Sequence, residues 1–203
     1  LESRERREWS LGEDLASFGL ATGGRLVIAL SRSLILFNPE TGTREIIATI
    51  DLPPQVSRLN DGKVGPDGCF WVGSMDRNCI QTSGALYRVT PEGQCTRVLD
   101  NLFVSNGLAW SPDHRTLYHT DGISAAINAY DFDPATGAMS NPRVLINLDY
   151  EETGWPDGGT VDSEGNYWSA GVYKGRVNQI SPAGQLLRSL QMPVLGTTMP
   201  CFG

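Results

Sequence analysis

Short apolar runs alternate with polar turn segments along the whole chain. Residues 69–72 and 85–89 are examples, rich in the β-branched and aromatic residues that are typical of strands of about four to six residues. Between such runs lie Pro-Asp-Gly, Pro-Glu-Gly and Thr-Gly turns, in which Pro presets φ and Gly supplies a positive φ. No window of about a dozen residues shows the periodicity of an amphipathic helix. The pattern therefore predicts an all-β chain.

The sequence pattern formed by these strands and turns occurs four times, about 44 to 50 residues apart. The aligned strand positions in the four copies are Val27, Trp71, Tyr118 and Trp168. A fixed period marks a fold assembled from one repeated unit, and four strands in about 45 residues are typical of a β-propeller blade. A β-sandwich also spaces its strands by about 8–12 residues, but it does not require the same sequence pattern to recur at a fixed period. The repeat therefore favours the propeller.

The repeat predicts a single β-propeller domain over residues 1–203, with about four blades. Residues 199–203 (Met-Pro-Cys-Phe-Gly) look like the start of a fifth blade. Propellers close with roughly 4–8 blades, and the first residue is Leu1 rather than Met. We therefore expect the domain to be incomplete at both ends, as a fragment of a longer propeller.

Composition narrows the partners that such a domain can have. The chain carries a formal net charge of −7 and shows no basic stripe, which argues against nucleic acid and anionic membranes as partners. The charged opening, residues 2–8, is neither a signal peptide nor a membrane span. The four cysteines form no Cys-x-x-Cys pair and predict free thiols. An acidic, amide-rich site would instead suit a cation.

Carboxylates and carboxamides recur at one phase of the repeat, directly before Gly. In a propeller the innermost strand of each blade lines the central channel, so residues at its start face a common axial region. Here these residues are Asn60 with Asp61, Asn106 and Asp157. Their oxygens are ligands that Ca²⁺, Mg²⁺ and Mn²⁺ prefer. Such residues are also common turn formers, but the shared phase favours an axial polar site. Arg58 adds a donor that suits an anion or a hydroxyl-rich ligand.

Other chemistry has less support in the sequence. His114 lies in a Pro-Asp-His turn and is expected to be solvated, and His119 is expected to be a satisfied strand residue. No Gly-x-Ser-x-Gly motif supports a serine nucleophile. The glycines lie in hairpin turns rather than in a phosphate-binding loop. Trp155 precedes Asp157 in a loop and could face a ligand.

Three motifs, in one order, resemble those of a known family. They are residues 58–62 (Arg-Leu-Asn-Asp-Gly), 105–108 (Ser-Asn-Gly-Leu) and 156–158 (Pro-Asp-Gly). They are similar to motifs of the family of gluconolactonase, regucalcin (senescence marker protein) and luciferin-regenerating enzyme. The bacterial sugar-lactonase branch is nearest, and the resemblance covers essentially the whole chain.

This resemblance implies a six-bladed β-propeller with one divalent cation (Ca²⁺, Zn²⁺ or Mn²⁺) at its axis. In the family the cation is held by a Glu of the first blade and by residues that match Asn106 and Asp157, and Asp157 also matches the proposed acid/base residue. Arg58 and Asn60 match substrate contacts, and a further contact, often a Glu, falls near Asn78. The early glutamates lie in a charged run and not in the setting expected of the first-blade ligand: Glu2, Glu5, Glu8 and Glu13.

The resemblance and the residues together favour a metal-dependent hydrolase that opens sugar lactones in carbohydrate metabolism. Asp157 would be the general acid/base and the cation a Lewis acid. An alternative, favoured by the missing Glu and by Asn78, is a non-catalytic propeller fragment that binds a cation or small ligand. A third is a scaffold that presents loops to proteins. The expected partner is a small sugar lactone, with no nucleic acid and no membrane, and we expect a cytoplasmic monomer or weak dimer.

Overall fold

Four antiparallel sheets of four strands each make up the part of the protein that the structure describes. The structure is a computed structural model and describes residues 6–53, 56 and 58–202. Each sheet is a meander in which strands pair in chain order. Within these residues, helix is confined to a 3-10 turn at Thr22–Gly24 and to one α-helical turn, α1 (Tyr150–Thr153). The all-β prediction is confirmed.

The sheets follow the sequence repeat and are numbered here as blades 1 to 4. Blade 1 contains β1 (Ser17–Leu20), β2 (Leu26–Ala29), β3 (Ser33–Phe37) and β4 (Arg44–Thr49). Blade 2 contains β5 (Arg58–Val64), β6 (Phe70–Met75), β7 (Gly84–Val89) and β8 (Cys95–Leu102). Blade 3 contains β9 (Ser105–Trp110), β10 (Thr116–Asp121), β11 (Ala126–Asp133) and β12 (Ala138–Asn147). Blade 4 contains β13 (Trp155–Val161), β14 (Tyr167–Val172), β15 (Arg176–Ile180) and β16 (Leu186–Gln191).

The first strand of each blade lies beside the first strand of the next. Strand β1 contacts β5, β5 contacts β9, and β9 contacts β13. Sheets that meet along their first strands are arranged radially about one axis, as the blades of a propeller are. The chain therefore forms four blades of a propeller, as the repeat predicts.

Apolar side chains fill the space between neighbouring blades. Each interface has its own buried cluster, with members such as Leu34 and Val72 between blades 1 and 2, Trp71 and Leu108 between blades 2 and 3, and Tyr118 and Tyr167 between blades 3 and 4. Buried aromatic side chains each remove about 150–250 Å² from water. These interfaces therefore hold the inner strands at a fixed spacing, on which any axial site depends.

The aspartate of the repeated turn supports the strand that follows it. Asp67 Oδ1 accepts a hydrogen bond from Trp71 Nε1 at 3.1 Å, and Asp162 Oδ2 accepts one from Trp168 Nε1 at 2.9 Å. Asp67 also forms an ion pair with Arg88 at 2.7 Å. Because an indole N–H needs a partner when the ring is packed away from water, Asp and Trp recur in this order for a structural reason.

Two further expectations concern the cysteines and the membrane. All four cysteines are free, with Cys69 buried, so the free-thiol prediction is confirmed. Within the described ranges, no helix has both the length and the apolar character needed to cross a membrane.

Candidate functional site

A polar cavity of about 690 Å³ opens where the inner strands β5, β9 and β13 begin. Side chains from blades 2, 3 and 4 line it, among them Arg58, Asn60, Asp61, Arg77, Asn106 and Asp157. Asn60, Asp61, Asn106 and Asp157 were predicted from the repeat to face one axial region, and Arg58 was predicted to lie beside them. The structure therefore brings the predicted residues to one cavity.

Each of the three inner strands that supply these residues has a β-bulge at the cavity. The pairing with the second strand of the blade shifts by one residue at Leu59 to Gly62 in β5, at Asn106 to Ala109 in β9 and at Pro156 to Gly159 in β13. A bulge re-aims side chains away from the alternation of a regular strand. Strand β1 pairs with β2 without such a shift, and none of its residues lines the cavity.

A chain of hydrogen bonds links blade 2 to blade 3 at the cavity. Arg58 Nη1 donates to Asn60 Oδ1 at 3.0 Å, and Asn60 Nδ2 donates to Asn106 Oδ1 at 2.7 Å. Asn60 Nδ2 also lies 3.1 Å from the Ser105 carbonyl oxygen. These bonds fix the orientation of both carboxamides. Since a carbonyl oxygen has two lone pairs, Asn106 Oδ1 can accept one further partner.

Asp157 lies against the neighbouring strand β9, where a glycine lets two backbones approach. Gly107 has a φ of 67°, and a Cβ there would lie 3.1 Å from the Asp157 carbonyl oxygen. The buried Tyr167 hydroxyl donates a hydrogen bond to the Gly107 carbonyl at 2.8 Å. Asn106 and Asp157 therefore stand at the same end of two adjacent, tightly packed strands.

Asp61 is a buried carboxylate with only one of its oxygens bonded to the described residues. The residue is 7% exposed, and its Oδ2 accepts a hydrogen bond from the Leu108 backbone N–H at 3.2 Å. No described residue donates a hydrogen bond to its Oδ1. Burial raises the pKa of Asp61, and this rise is partly opposed by the positive charge of Lys63 and by the backbone N–H groups of Leu108, Gly107 and Gly62.

The charges around the cavity influence one another. Burial raises the pKa of Asp157 to about 6; the negative charge of Asp61 adds to this rise, whereas Arg58 opposes it. The pKa of the half-buried Arg58 is lowered, first by burial and then by the charge of Arg77. A carboxyl group with a pKa near 6 can accept and return protons close to neutral pH.

Asn78, the expected counterpart of a substrate contact, does not line the cavity. It is exposed, and its backbone N–H donates to Asp76 Oδ1 at 3.1 Å. Arg77 is the residue of this loop that lines the cavity. Sequence reasoning missed Arg77, although the antiparallel pairing of Arg58 with Met75 carries the residues after β6 to the start of β5.

The remaining candidates lie elsewhere. Trp155 stacks on Tyr150, with ring centroids 4.2 Å apart, and does not line the cavity. His114 is exposed in its turn, and His119 is buried with its Nε2 2.8 Å from Ser105 Oγ, as predicted for both.

Lys63 is a second residue near the axis that sequence reasoning did not assign. Its Nζ donates to the Gly159 carbonyl at 2.7 Å and so joins blade 2 to blade 4. Burial lowers the pKa of Lys63, and the charge of Asp61 opposes this effect.

The side chains of Asn106 and Asp157 carry hard oxygen donors of the kind that Ca²⁺ binds. No three His, Cys, Asp or Glu side chains form a metal-binding group within the described ranges. Among the early glutamates, Glu13 accepts a hydrogen bond from the Ser31 N–H at 3.2 Å and Glu8 forms an ion pair with Arg6. Glu2 and Glu5 lie outside the described residues.

Comparison with known proteins identifies relatives over the whole chain. The family model described as "SMP-30/Gluconolactonase/LRE-like region" matches residues 1–203. Regucalcin from Xenopus laevis is 35% identical over 200 residues, which are 96% of this chain and 67% of that protein.

Two solved structures share the fold. A calcium-binding protein, regucalcin, from Agrobacterium tumefaciens matches with a TM-score of 0.87 at 27% identity, over 95% of this chain and 65% of that one. A gluconolactonase from Xanthomonas campestris matches with a TM-score of 0.74 at 26% identity, over 93% of this chain and 65% of that one. The chain thus spans about two thirds of the length of these relatives.

Proposed function

The chain belongs to the SMP-30/gluconolactonase/LRE-like family, and we propose that it opens sugar lactones by hydrolysis at the axial cavity. A sugar lactone is a cyclic ester with several hydroxyl groups, so its site needs hydrogen-bonding groups and a residue that activates water. The observation that carries the proposal is the convergence of Arg58, Asn60, Asn106 and Asp157 on one cavity. Similarity to a protein named as a gluconolactonase supports it.

A divalent cation fits the donor set of this cavity. Asn106 and Asp157 would hold it through a carboxamide and a carboxylate oxygen, which Ca²⁺ and Mn²⁺ prefer and Zn²⁺ accepts. One structural relative is named a calcium-binding protein, so Ca²⁺ is the first ion to test. When bound, the cation would polarise the lactone carbonyl and stabilise the negative charge that develops on its oxygen.

Asp157 is the proposed general acid/base. With a pKa of about 6, its carboxylate is mostly ionised at pH 7 and can take a proton from the attacking water. The water oxygen bonds to the carbonyl carbon, the bond from that carbon to the ring oxygen breaks, and Asp157 returns the proton to the leaving oxygen. The product is the open hydroxy acid, and Asp157 is again an ionised carboxylate at the end of the cycle.

Arg58 and Asn60 are the proposed contacts for the substrate hydroxyl groups. Arg58 Nη1 is held by the Leu59 carbonyl and by Asn60 Oδ1, and among the described residues no bond to its other guanidinium N–H groups competes with a ligand. The bond from Asn60 to Asn106 ties this substrate-binding side of the cavity to the cation-binding side. A role for Asn78 in substrate binding stays a prediction.

The test is the rate of acid release from D-gluconolactone at constant pH. We expect EDTA to abolish the activity of the wild-type protein, and Ca²⁺, Zn²⁺ or Mn²⁺ to restore it. Asp157→Asn should lower kcat by about 10²–10⁴-fold with unchanged circular dichroism, because an amide cannot take up the proton. Asp131→Asn, at a half-exposed aspartate that does not line the cavity, is the matched control and should keep full activity. An Asp157→Asn variant with more than about a tenth of wild-type activity would exclude Asp157 as the acid/base.

A second candidate function is a propeller that binds a cation or small ligand without turning it over. The exposed position of Asn78, where a family substrate contact is expected, favours this candidate. It predicts that calorimetry detects cation binding while the wild-type protein does not accelerate acid release. A chelator-sensitive rate would exclude it.

A further inference from the structure

Among the described residues that line the cavity, Asp61 has a buried carboxylate oxygen without a hydrogen-bond partner. It is buried, it lines the same cavity as Asn106 and Asp157, and its Oδ1 has no hydrogen-bond partner among the described residues. Burying a charged oxygen without a partner is costly, and an orphan of this kind in a cavity indicates that a bound species completes its environment.

The charges nearby indicate the kind of species. Asp61 and Asp157 both line the cavity, and the negative charge of one acts on the other. The ammonium group of Lys63 is bonded to the Gly159 carbonyl rather than to Asp61. Asp61 is buried and Asp157 is partly buried, and two like charges in such a site repel each other unless a cation reduces the repulsion. The missing species is therefore better explained as a cation than as an anion or a neutral molecule.

We propose that Asp61 is a third side chain of the axial cation site and supplies its second negative charge, beside Asn106 and Asp157. This inference rests on the cation of the proposed function and extends it to a residue that the family resemblance does not include among the cation ligands. Cation affinity at oxygen sites rises with the number of charged ligands. Asp61 therefore belongs to the cation site and not only to the bulged strand β5 in which it lies.

The bond from Leu108 makes Asp61→Asn an informative variant. Because the Leu108 N–H donates to Oδ2, the amide oxygen of an asparagine would occupy that position. The amide nitrogen, which is a donor only, would then replace Oδ1. The substitution thus removes the unpartnered acceptor and the negative charge while it keeps the shape of the side chain and its bond to strand β9.

The experiment is titration calorimetry of the full chain with Ca²⁺, with Asp14→Asn as the matched control. Asp14 also lines the cavity, but its side chain is 77% exposed, so its substitution removes the same charge without a buried acceptor. We expect Asp61→Asn to weaken Ca²⁺ binding by about 10–100-fold. Asp14→Asn should weaken it by less than about threefold, because exposed charges are screened.

Thermal unfolding separates a role in the cation site from a role in folding. Without Ca²⁺ we expect Asp61→Asn to melt within about 4 °C of wild type, whereas the rise in melting temperature on adding Ca²⁺ should be much smaller in the variant. A large loss of stability without Ca²⁺ and an unchanged response to it would show a purely structural role. If Asp61→Asn binds Ca²⁺ as tightly as wild type, this inference alone is wrong. If wild type binds no cation, the cation of the proposed function is wrong, and this inference with it.

Discussion

The buried imidazole of His119 makes stability depend on pH in a definite direction. The residue is 1% exposed in β10, its Nε2 lies 2.8 Å from Ser105 Oγ, and burial lowers its pKa to about 4. In the unfolded chain the pKa of histidine is about 6.5. Stability from the neutral imidazole is therefore fully present above pH 6.5. It is lost as the pH falls towards 4, because the unfolded state binds the proton first.

The size of this effect follows from the two pKa values. Between pH 7 and pH 5 the unfolded chain becomes protonated at this position while the folded protein stays neutral, which lowers the free energy of unfolding by about 2 kcal/mol. Asp157 acts in the opposite direction, because its pKa of about 6 lets the folded protein take up a proton in the same range. A wild-type pH profile alone therefore does not isolate His119.

The assay is urea unfolding of wild type and His119→Gln at pH 7 and pH 5. Glutamine is neutral at both values and can still bond to Ser105, while the contribution of Asp157 is common to both proteins. We expect the variant to be less stable at pH 7 because its packing is poorer. Its loss between pH 7 and pH 5 should nevertheless be about 2 kcal/mol smaller than that of wild type. Equal losses in the two proteins would refute the account of a buried neutral imidazole.

Two further predictions concern the packing that supports the cavity. Tyr167→Phe should lower the free energy of unfolding in urea by about 1–3 kcal/mol, because the Gly107 carbonyl loses its buried donor; an unchanged midpoint would show that this bond is not needed. Gly73→Ala should lower the free energy of unfolding by about 1–3 kcal/mol, since a Cβ there overlaps the Ser105 side chain. The control is Gly196→Ala, where a Cβ meets open space, and both variants are compared by thermal unfolding. Equal melting temperatures for the two variants would contradict the packing argument.

The blades and most of the candidate site could be predicted from the sequence because both depend on the repeat. A recurring sequence pattern predicts the blade, and the same position in successive repeats brings Asn60, Asn106 and Asp157 to one axial cavity. The aspartates of the repeated turns could be recognised in the sequence, but their structural role could not. The hydrogen bond from Trp71 to Asp67 could be predicted only if the directions of both side chains were known.

The features that sequence reasoning missed depend on register and on contacts between distant blades. Arg77 reaches the cavity because β6 pairs antiparallel with β5. Lys63 bonds to Gly159, two blades away, and nothing local to either residue indicates that contact. The three bulges likewise appear only once the strands are paired, although they decide which side chains face the cavity.

The central claim is that Asn106 and Asp157 hold one cation between them. Anomalous diffraction from crystals soaked in Mn²⁺ tests it most directly, because the ion is located independently of any assumed chemistry. We predict one strong peak in the axial cavity, about 2.0–2.6 Å from Asn106 Oδ1 and from a carboxylate oxygen of Asp157. A peak elsewhere, or two oxygens too far apart for one ion to bridge, would contradict the claim.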